Sequence, residues 1–263
     1  MVGRSYNQMV CLATLLLACV GCQESLSPQA KQWLQSGYTA SAAGQHQAVI
    51  TNADAFLSEY GRSKRADEAY YLRGLAKYHL GDPSGAREDL KAALARTNKP
   101  ELQGKAALAL GDLAWEADDM TTAVDMYQMA LDHMDRSVRP ADHAAYRLGC
   151  VLQRLGRWRE ADLPFSRVME LFPDSELANR SSRRVHGRAW AIQLAAFADR
   201  GGAQDKVNAL AGQGVQTSVL PAMGDSKPTF VVQTGRYPTW EQATAALPSI
   251  KRLQPDAFVT ATR

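Results

Sequence analysis

Apolar and small residues recur at helical spacing along the first two thirds of the chain. From about Ser27 to Arg184 the pattern also repeats. Gly37 is followed by Gly44, Gly74 by Gly81, Gly111 by Asp118 and Gly149 by Gly156, each pair seven residues apart. Ala48, Ala86, Ala123 and Ala161 follow soon after. The steps between the first members are 37, 37 and 38 residues. A small residue followed by a turn residue seven positions on predicts a helix, a tight turn and a second helix. The small residue lets the two helices approach closely, and a turn glycine accepts positive φ. Tyr127 and Phe165 fall where they would fill the seam between repeats. A single helix pair cannot bury its apolar face, so residues 27–185 are expected to stack around one continuous core. The stretch PDSELANRSSRRV, from Pro173, predicts a closing helix.

The periodicity changes after this. In WAIQLAAF, Trp190, Ile192 and Leu194 alternate with Ala191, Gln193 and Ala195, as on the two faces of a strand. Ala203, Val207, Leu210 and Gly214 then follow at helical spacing, with Gly212 and Gly214 as the stop. GVQTSVLP predicts a second strand ended by Pro221, and Gly224-Asp225 a loop. TFVVQTG predicts a third strand with Phe230 and Val232 inward and Thr229, Val231 and Gln233 outward. Thr239 and Gln242 form a capping box that starts a second helix. DAFVTAT predicts a short last strand. The order is β-α-β-β-α-β over 186–263, a ferredoxin-like split unit.

Two resemblances sharpen this reading. YYLRGLAKYHLGD at 70–82 and LGCVLQRLGRWREA at 148–161 resemble the first helix and turn of a tetratricopeptide (TPR) repeat, whose period is ~34 residues. AIQLAAF and TFVVQTGRYPTWEQATAAL resemble the two halves of the SPOR (sporulation-related repeat) family, with Gln193, Phe197, Gly235, Tyr237, Ala243 and Leu247 in register. The expected fold is therefore α plus α/β: a TPR-like α-solenoid followed by a small ferredoxin-like βαββαβ domain. The SPOR resemblance implies binding to peptidoglycan whose glycan strands have lost their stem peptides, on the sheet face opposite the helices. Carried over, that face holds Gln193, Thr229, Val231 and Gln233. This chain departs from the family at Ala196, where a serine is usual, and at Val231 and Gln233, where arginines are frequent. The polar set on the face is thin, and Gln193 can also be read as a solvated outward residue. The TPR resemblance implies an unidentified envelope or cell-division protein as partner in the groove. The competing reading is an assembly scaffold of the envelope whose last domain docks protein. A third reading is an accessory of a wall hydrolase, acting through a bound enzyme.

The start of the chain sets the compartment. Arg4 precedes the apolar run Met9 to Val20, about half the ~20 residues of a spanning helix. It reads as a signal-peptide core. LLLACVGC resembles a bacterial lipobox, so residues 1–22 are expected to be a lipoprotein signal with lipid on Cys19 or Cys22. Leu16-Leu17-Ala18-Cys19 fits the motif better. Cys22 leaves a longer apolar core and a polar mature end. An ordinary cleaved signal is the other alternative. The lipid would hold the protein in the cell envelope facing the periplasm, with the outer membrane favoured over the inner. More than one acyl chain gives stable anchoring.

Charge and chemistry narrow the picture further. Net charge is +3, too small to argue a nucleic-acid partner. Cys150, the only cysteine beyond the leader, reads as a small packing residue. His46, His79, His133, His143 and His186 lack metal-ligand spacing. No nucleophile elbow or phosphate-cradling glycine loop appears. Asp118-Asp119 reads as a turn or helix cap. The expectation is a binding protein with no catalytic residues, metal or cofactor. Arg180, Arg183, Arg184 and Arg188 make a basic connection into the last module. They read as a solvated cap, with contact to anionic phospholipid or cell-wall polymer as the alternative.

Overall fold

The computed structural model describes residues 26–223 and 228–262. Cys19, Cys22 and the rest of the leader, and the Gly224-Asp225 loop, lie outside the described residues. Eight helices pair in sequence: α1 (Pro28–Ala42) with α2 (His46–Tyr60), α3 (Ala66–His79) with α4 (Pro83–Arg96), α5 (Pro100–Glu116) with α6 (Met120–His133), and α7 (Ala141–Arg154) with α8 (Trp158–Leu171). A short α9 (Glu176–Arg184) closes the stack. None of these helices is long and apolar enough to cross a membrane.

The repeat pattern maps onto this geometry position by position. Gly44, Gly81 and Gly156 turn with φ of 68°, 81° and 76°, and Asp118 takes the same place at 60°. An aspartate tolerates that left-handed conformation better than most side chains. Its neighbour Asp119 caps α6 by accepting from the Thr122 amide. Gly111 and Gly149 sit where helices nearly touch. A Cβ on Gly111 would lie 2.8 Å from the Tyr127 ring, and one on Gly149 2.7 Å from the Phe165 ring. Both rings are fully buried, as are Ala86, Ala123 and Ala161. Contact is looser in the first repeat, where the pattern fits least: a Cβ on Gly37 would lie 3.9 Å from Asn52 of α2, and 3.3 Å from Leu72 of α3. Cys150 is buried and unbridged, and burial raises its thiol pKa.

Ion pairs reinforce the junctions of the early repeats. Glu68 of α3 is bound by Arg65 at 2.6 Å and by Lys99 at 2.7 Å, and accepts from the Tyr38 hydroxyl of α1 at 3.1 Å. Burial alone would raise the Glu68 pKa, but its two cations override that and hold it down at about 2. A carboxylate with a lowered folded-state pKa adds stability above its ordinary value near 4.5, and that stability is lost as pH falls towards 2. The expected result is a melting temperature that declines through this acid window. Glu68→Gln should lower stability at neutral pH and flatten the decline. Parallel pH profiles for variant and parent would remove Glu68 from the account.

The last module contains β1 (Ala189–Phe197), α10 (Arg200–Ala211), β2 (Ser218–Met223), β3 (Pro228–Tyr237), α11 (Trp240–Lys251) and β4 (Phe258–Thr262). The strands lie in the order β2-β3-β1-β4, and every pair is antiparallel. This is the expected βαββαβ order. Ala203 and Leu210 of α10 and Leu247 and Ile250 of α11 pack on Ile192, Phe230 and Val232, so both helices cover one face. Thr239 caps α11 by accepting from the Gln242 amide.

Two details correct the sequence reading. Pro221 does not end β2; it sits inside the strand, opposite Phe230. β2 is an edge strand, where a missing N–H can face away from the partner. The alternation in β1 also breaks. The register shifts between Gln193 and Ala195, so Ala195 pairs with the core residue Val232 while Ala196 joins the outer face opposite Val231. A bulge inserts one residue and exchanges the faces beyond it.

The basic connection is only partly a solvated cap. Arg180 forms an i,i+4 pair with Glu176. Arg188 instead binds Asp162 of α8 at 2.7 Å, and Asp162 also accepts from the His186 amide. Arg184 donates to the Gln153 side chain and lies over the Trp190 ring. These arginines fasten the two modules together. Trp190 lies between Trp158 of α8, tilted by 58°, and Trp240 of α11, edge-to-face at 78°, and donates to the Gln153 carbonyl of α7. Trp158 donates to the Pro238 carbonyl at 3.0 Å.

Candidate functional site

The sheet face away from α10 and α11 is open. Its pairing places four side chains abreast across all four strands: Ser218, Gln233, Gln193 and Phe258. A second row holds Leu220, Val231 and Ala196, and a third Ala222 and Thr229. Thr260 and Thr262 follow on β4 opposite Ala191 and Ala189. The residues of these rows are uncharged, and the exposed Arg236 follows on β3 opposite Ala191. The four residues expected to share this face, Gln193, Thr229, Val231 and Gln233, do share it.

They are not equally available. Thr229, Val231 and Gln193 are half-buried. Gln233 is only 7% exposed, and its amide donates to the Thr262 hydroxyl at 3.0 Å. β1 lies between β3 and β4, so the Gln233 side chain crosses the face of β1 to reach Thr262. Ala189 and Ala191 carry only methyl groups there, and both are buried. Gln233 is therefore a structural brace of the face, not the free outward residue that alternation suggested. Gln193 is the amide left beside open surface.

Phe258 was missed by the sequence reading. It is 51% exposed and directly paired with Gln193. A polar fork next to an aromatic plate is the chemistry that sugars need, because they present hydroxyls and flat C–H patches. The available signal was weak: a phenylalanine at the start of a short strand, with its parity set by a partner 65 positions away.

The solenoid has its own candidate surface. Within it α1 approaches α3, α3 approaches α5 and α7 approaches α9. Side chains bridge them on that side: Tyr38 to Glu68, Tyr78 to Glu116, and Arg147 and Arg154 over the Trp115 ring. Arg154 also lies over Trp240, so this wall continues into the last module. Asp112 gathers Tyr127, His143 and Arg147 without metal-site geometry, and among the described residues no cluster could hold a metal ion.

Comparison with known proteins agrees with both halves. Residues 187–261 match the SPOR domain family. Residues 143–175, which span α7, α8 and the turn after them, match the tetratricopeptide repeat. SPOR and tetratricopeptide modules are non-catalytic binding units. Together they indicate an envelope- or division-associated protein with protein-interaction repeats. No curated protein matches the chain. Among solved structures, a crystal structure of MamA is 18% identical with a TM-score of 0.49, covering 60% of this chain and 79% of that one. Another MamA structure is 19% identical with a TM-score of 0.48, covering 60% and 86%. YrrB, a TPR protein with an unusual peptide-binding site, is 19% identical with a TM-score of 0.46, covering 55% and 69%. At such values the likeness says nothing of ligand or partner.

Proposed function

We propose that this protein is a lipid-anchored envelope protein that holds peptidoglycan glycan strands on the open face of its SPOR module and a protein partner along its solenoid. The observation that carries the reading is the row Ser218–Gln233–Gln193–Phe258, solvent-open at both ends on the face opposite the helices. The preferred substrate is glycan freed of its stem peptides, in cell division or wall remodelling. The membrane anchor is a lipid on Cys19 or Cys22, facing the periplasm and favouring the outer membrane. The partner site is the aromatic wall of Tyr38, Tyr78 and Trp115.

The test is sedimentation with isolated peptidoglycan, intact and after an amidase has removed its stem peptides. The chain should bind the amidase-treated material better. Gln193→Ala removes two donors and an acceptor and is expected to weaken binding several-fold, in line with about 0.5–1.5 kcal/mol for one hydrogen-bonding side chain. Gln193 is half-buried on the open face, so the fold should survive. Equal binding to both preparations, or none to either, would leave the envelope scaffold in front, with the open face docking protein. Mass spectrometry of the mature N-terminus tests the anchor and chooses between Cys19 and Cys22; an unmodified, soluble N-terminus would refute it.

A further inference from the structure

Charge along the bridged wall of the solenoid is uneven. At its start Asp67 and Glu68 are matched by Arg65 and Lys99. At its end four arginines meet three carboxylates. Arg147 is near Asp112, Arg154 binds Asp118 and Arg180 binds Glu176, while Arg184 takes the Gln153 amide oxygen instead. These arginines rim a trough. Its floor is Cys150 and Gln153 of α7, both buried. On the α5 side Arg147 and Arg154 lie over the Trp115 ring, each 5.1 Å from its centre. On the α9 side Arg184 reaches Gln153, and Arg180, one turn earlier, lies against the Tyr146 hydroxyl. Burial raises the Cys150 thiol pKa, while Arg184, Arg147 and Arg180 all pull it down, so the floor lies in positive potential.

Two of the four cations are free to serve a ligand. Arg154 is fixed by Asp118 and Trp240, and Arg184 by Gln153 and Trp190. Arg147 lies flat on an indole, which uses its π face and leaves its N–H fork for an in-plane carboxylate. Its neighbour Asp112 is 3.9 Å away, beyond hydrogen-bond reach, and already serves Tyr127 and His143. Arg180 holds only Glu176, in an exposed pair that is weak and easily exchanged. We propose that this trough docks an acidic segment of the protein partner, with carboxylates on Arg147 and Arg180 and apolar side chains on the Trp115 and Tyr146 rings. This rests on the partner-binding reading above and specifies the partner's chemistry. A single polypeptide fits between the rims. The flat surface of an anionic bilayer reaches the exposed Arg180 but not the half-buried Arg147.

The experiment measures fluorescence anisotropy of three labelled octapeptides with the purified chain. Leucine alternates with glutamate in the first, with lysine in the second and with serine in the third. The glutamate peptide should bind at least about tenfold tighter than the serine peptide, and the lysine peptide weakest. Raising salt from about 0.05 to 0.5 M should weaken the glutamate peptide about tenfold. Arg147→Gln and Arg180→Gln should each weaken it about tenfold. Arg147→Lys should recover only part of that loss, because an ammonium keeps the charge without the fork. Arg159→Gln, at an exposed arginine of α8, should leave binding unchanged. Arg180 is exposed, so its variant reports on binding even where Arg147→Gln lowers the melting temperature. The pair Arg147→Glu and Arg180→Glu should turn the preference towards the lysine peptide. Equal binding of all three peptides would overturn the acidic partner and spare the groove. Binding of none would bring down the partner-groove reading itself. Capture by phosphatidylglycerol vesicles that Arg147→Gln abolishes would overturn the proposal in favour of lipid headgroups.

Discussion

Gly149→Leu should destabilise the solenoid by about 3 kcal/mol or more, lowering its melting temperature by on the order of 10 °C. Even the first carbon of a side chain at this position would lie 2.7 Å from two atoms of the Phe165 ring. That ring is fully buried and stacked edge-on to Tyr146, so it has nowhere to move. The neighbours on α7, Leu148, Cys150 and Val151, are buried too, and the helix cannot rotate the new chain outward without exposing them. The consequence is overpacking between α7 and α8. A double-mutant cycle gives the sharper test. Phe165→Leu destabilises alone by leaving a void, yet it should recover part of the stability lost in Gly149→Ala by making room for the added methyl. Additive losses would show that α7 and α8 do not meet at this point.

Trp190→Ala should have an effect of similar size but of a different kind. Trp190 is 2% exposed and belongs at once to β1 and to the boundary between the modules. Removing a buried tryptophan costs about 3–5 kcal/mol. Here it also removes the ring contacts with Trp158 and Trp240 and the bond to the Gln153 carbonyl. The expected result in calorimetry is a single transition that splits, with the SPOR module melting first and the solenoid close to its parent temperature. Trp158→Ala should split the transition in the same way with less damage to the SPOR core, because its ring belongs to α8 and reaches across to Trp190 and the Pro238 carbonyl. One unsplit transition in both variants would mean that the tryptophans do not couple the modules. The coupling matters for function. It fixes the angle between the open sheet face and the aromatic wall of the solenoid, so on the proposed reading strand and partner would be held in a set relation.

The features legible in the sequence are those whose cause is local. A glycine seven positions before a turn glycine specifies a helix hairpin because the close approach and the positive φ both belong to that one hairpin. The substitution of Asp118 at a turn position kept the register readable, since aspartate tolerates the same φ. The βαββαβ order was equally legible, because alternation, caps and turn residues act within a few positions. So was the set of side chains on one face of β3, since strand parity alone decides it. What only the tertiary structure decided depends on residues far apart in the chain. Gln233 is outward by parity, yet it is buried because Thr262, 29 positions later, receives its amide over the methyl groups of Ala189 and Ala191. Phe258 joins Gln193 only through the β1–β4 register. Arg184 and Arg188 read as a solvated basic run until Gln153, Asp162 and Trp190 come to meet them. Hydrogen-bond partners, stacking and burial arise from long-range packing, and no local period in a chain encodes which distant residue will complete them.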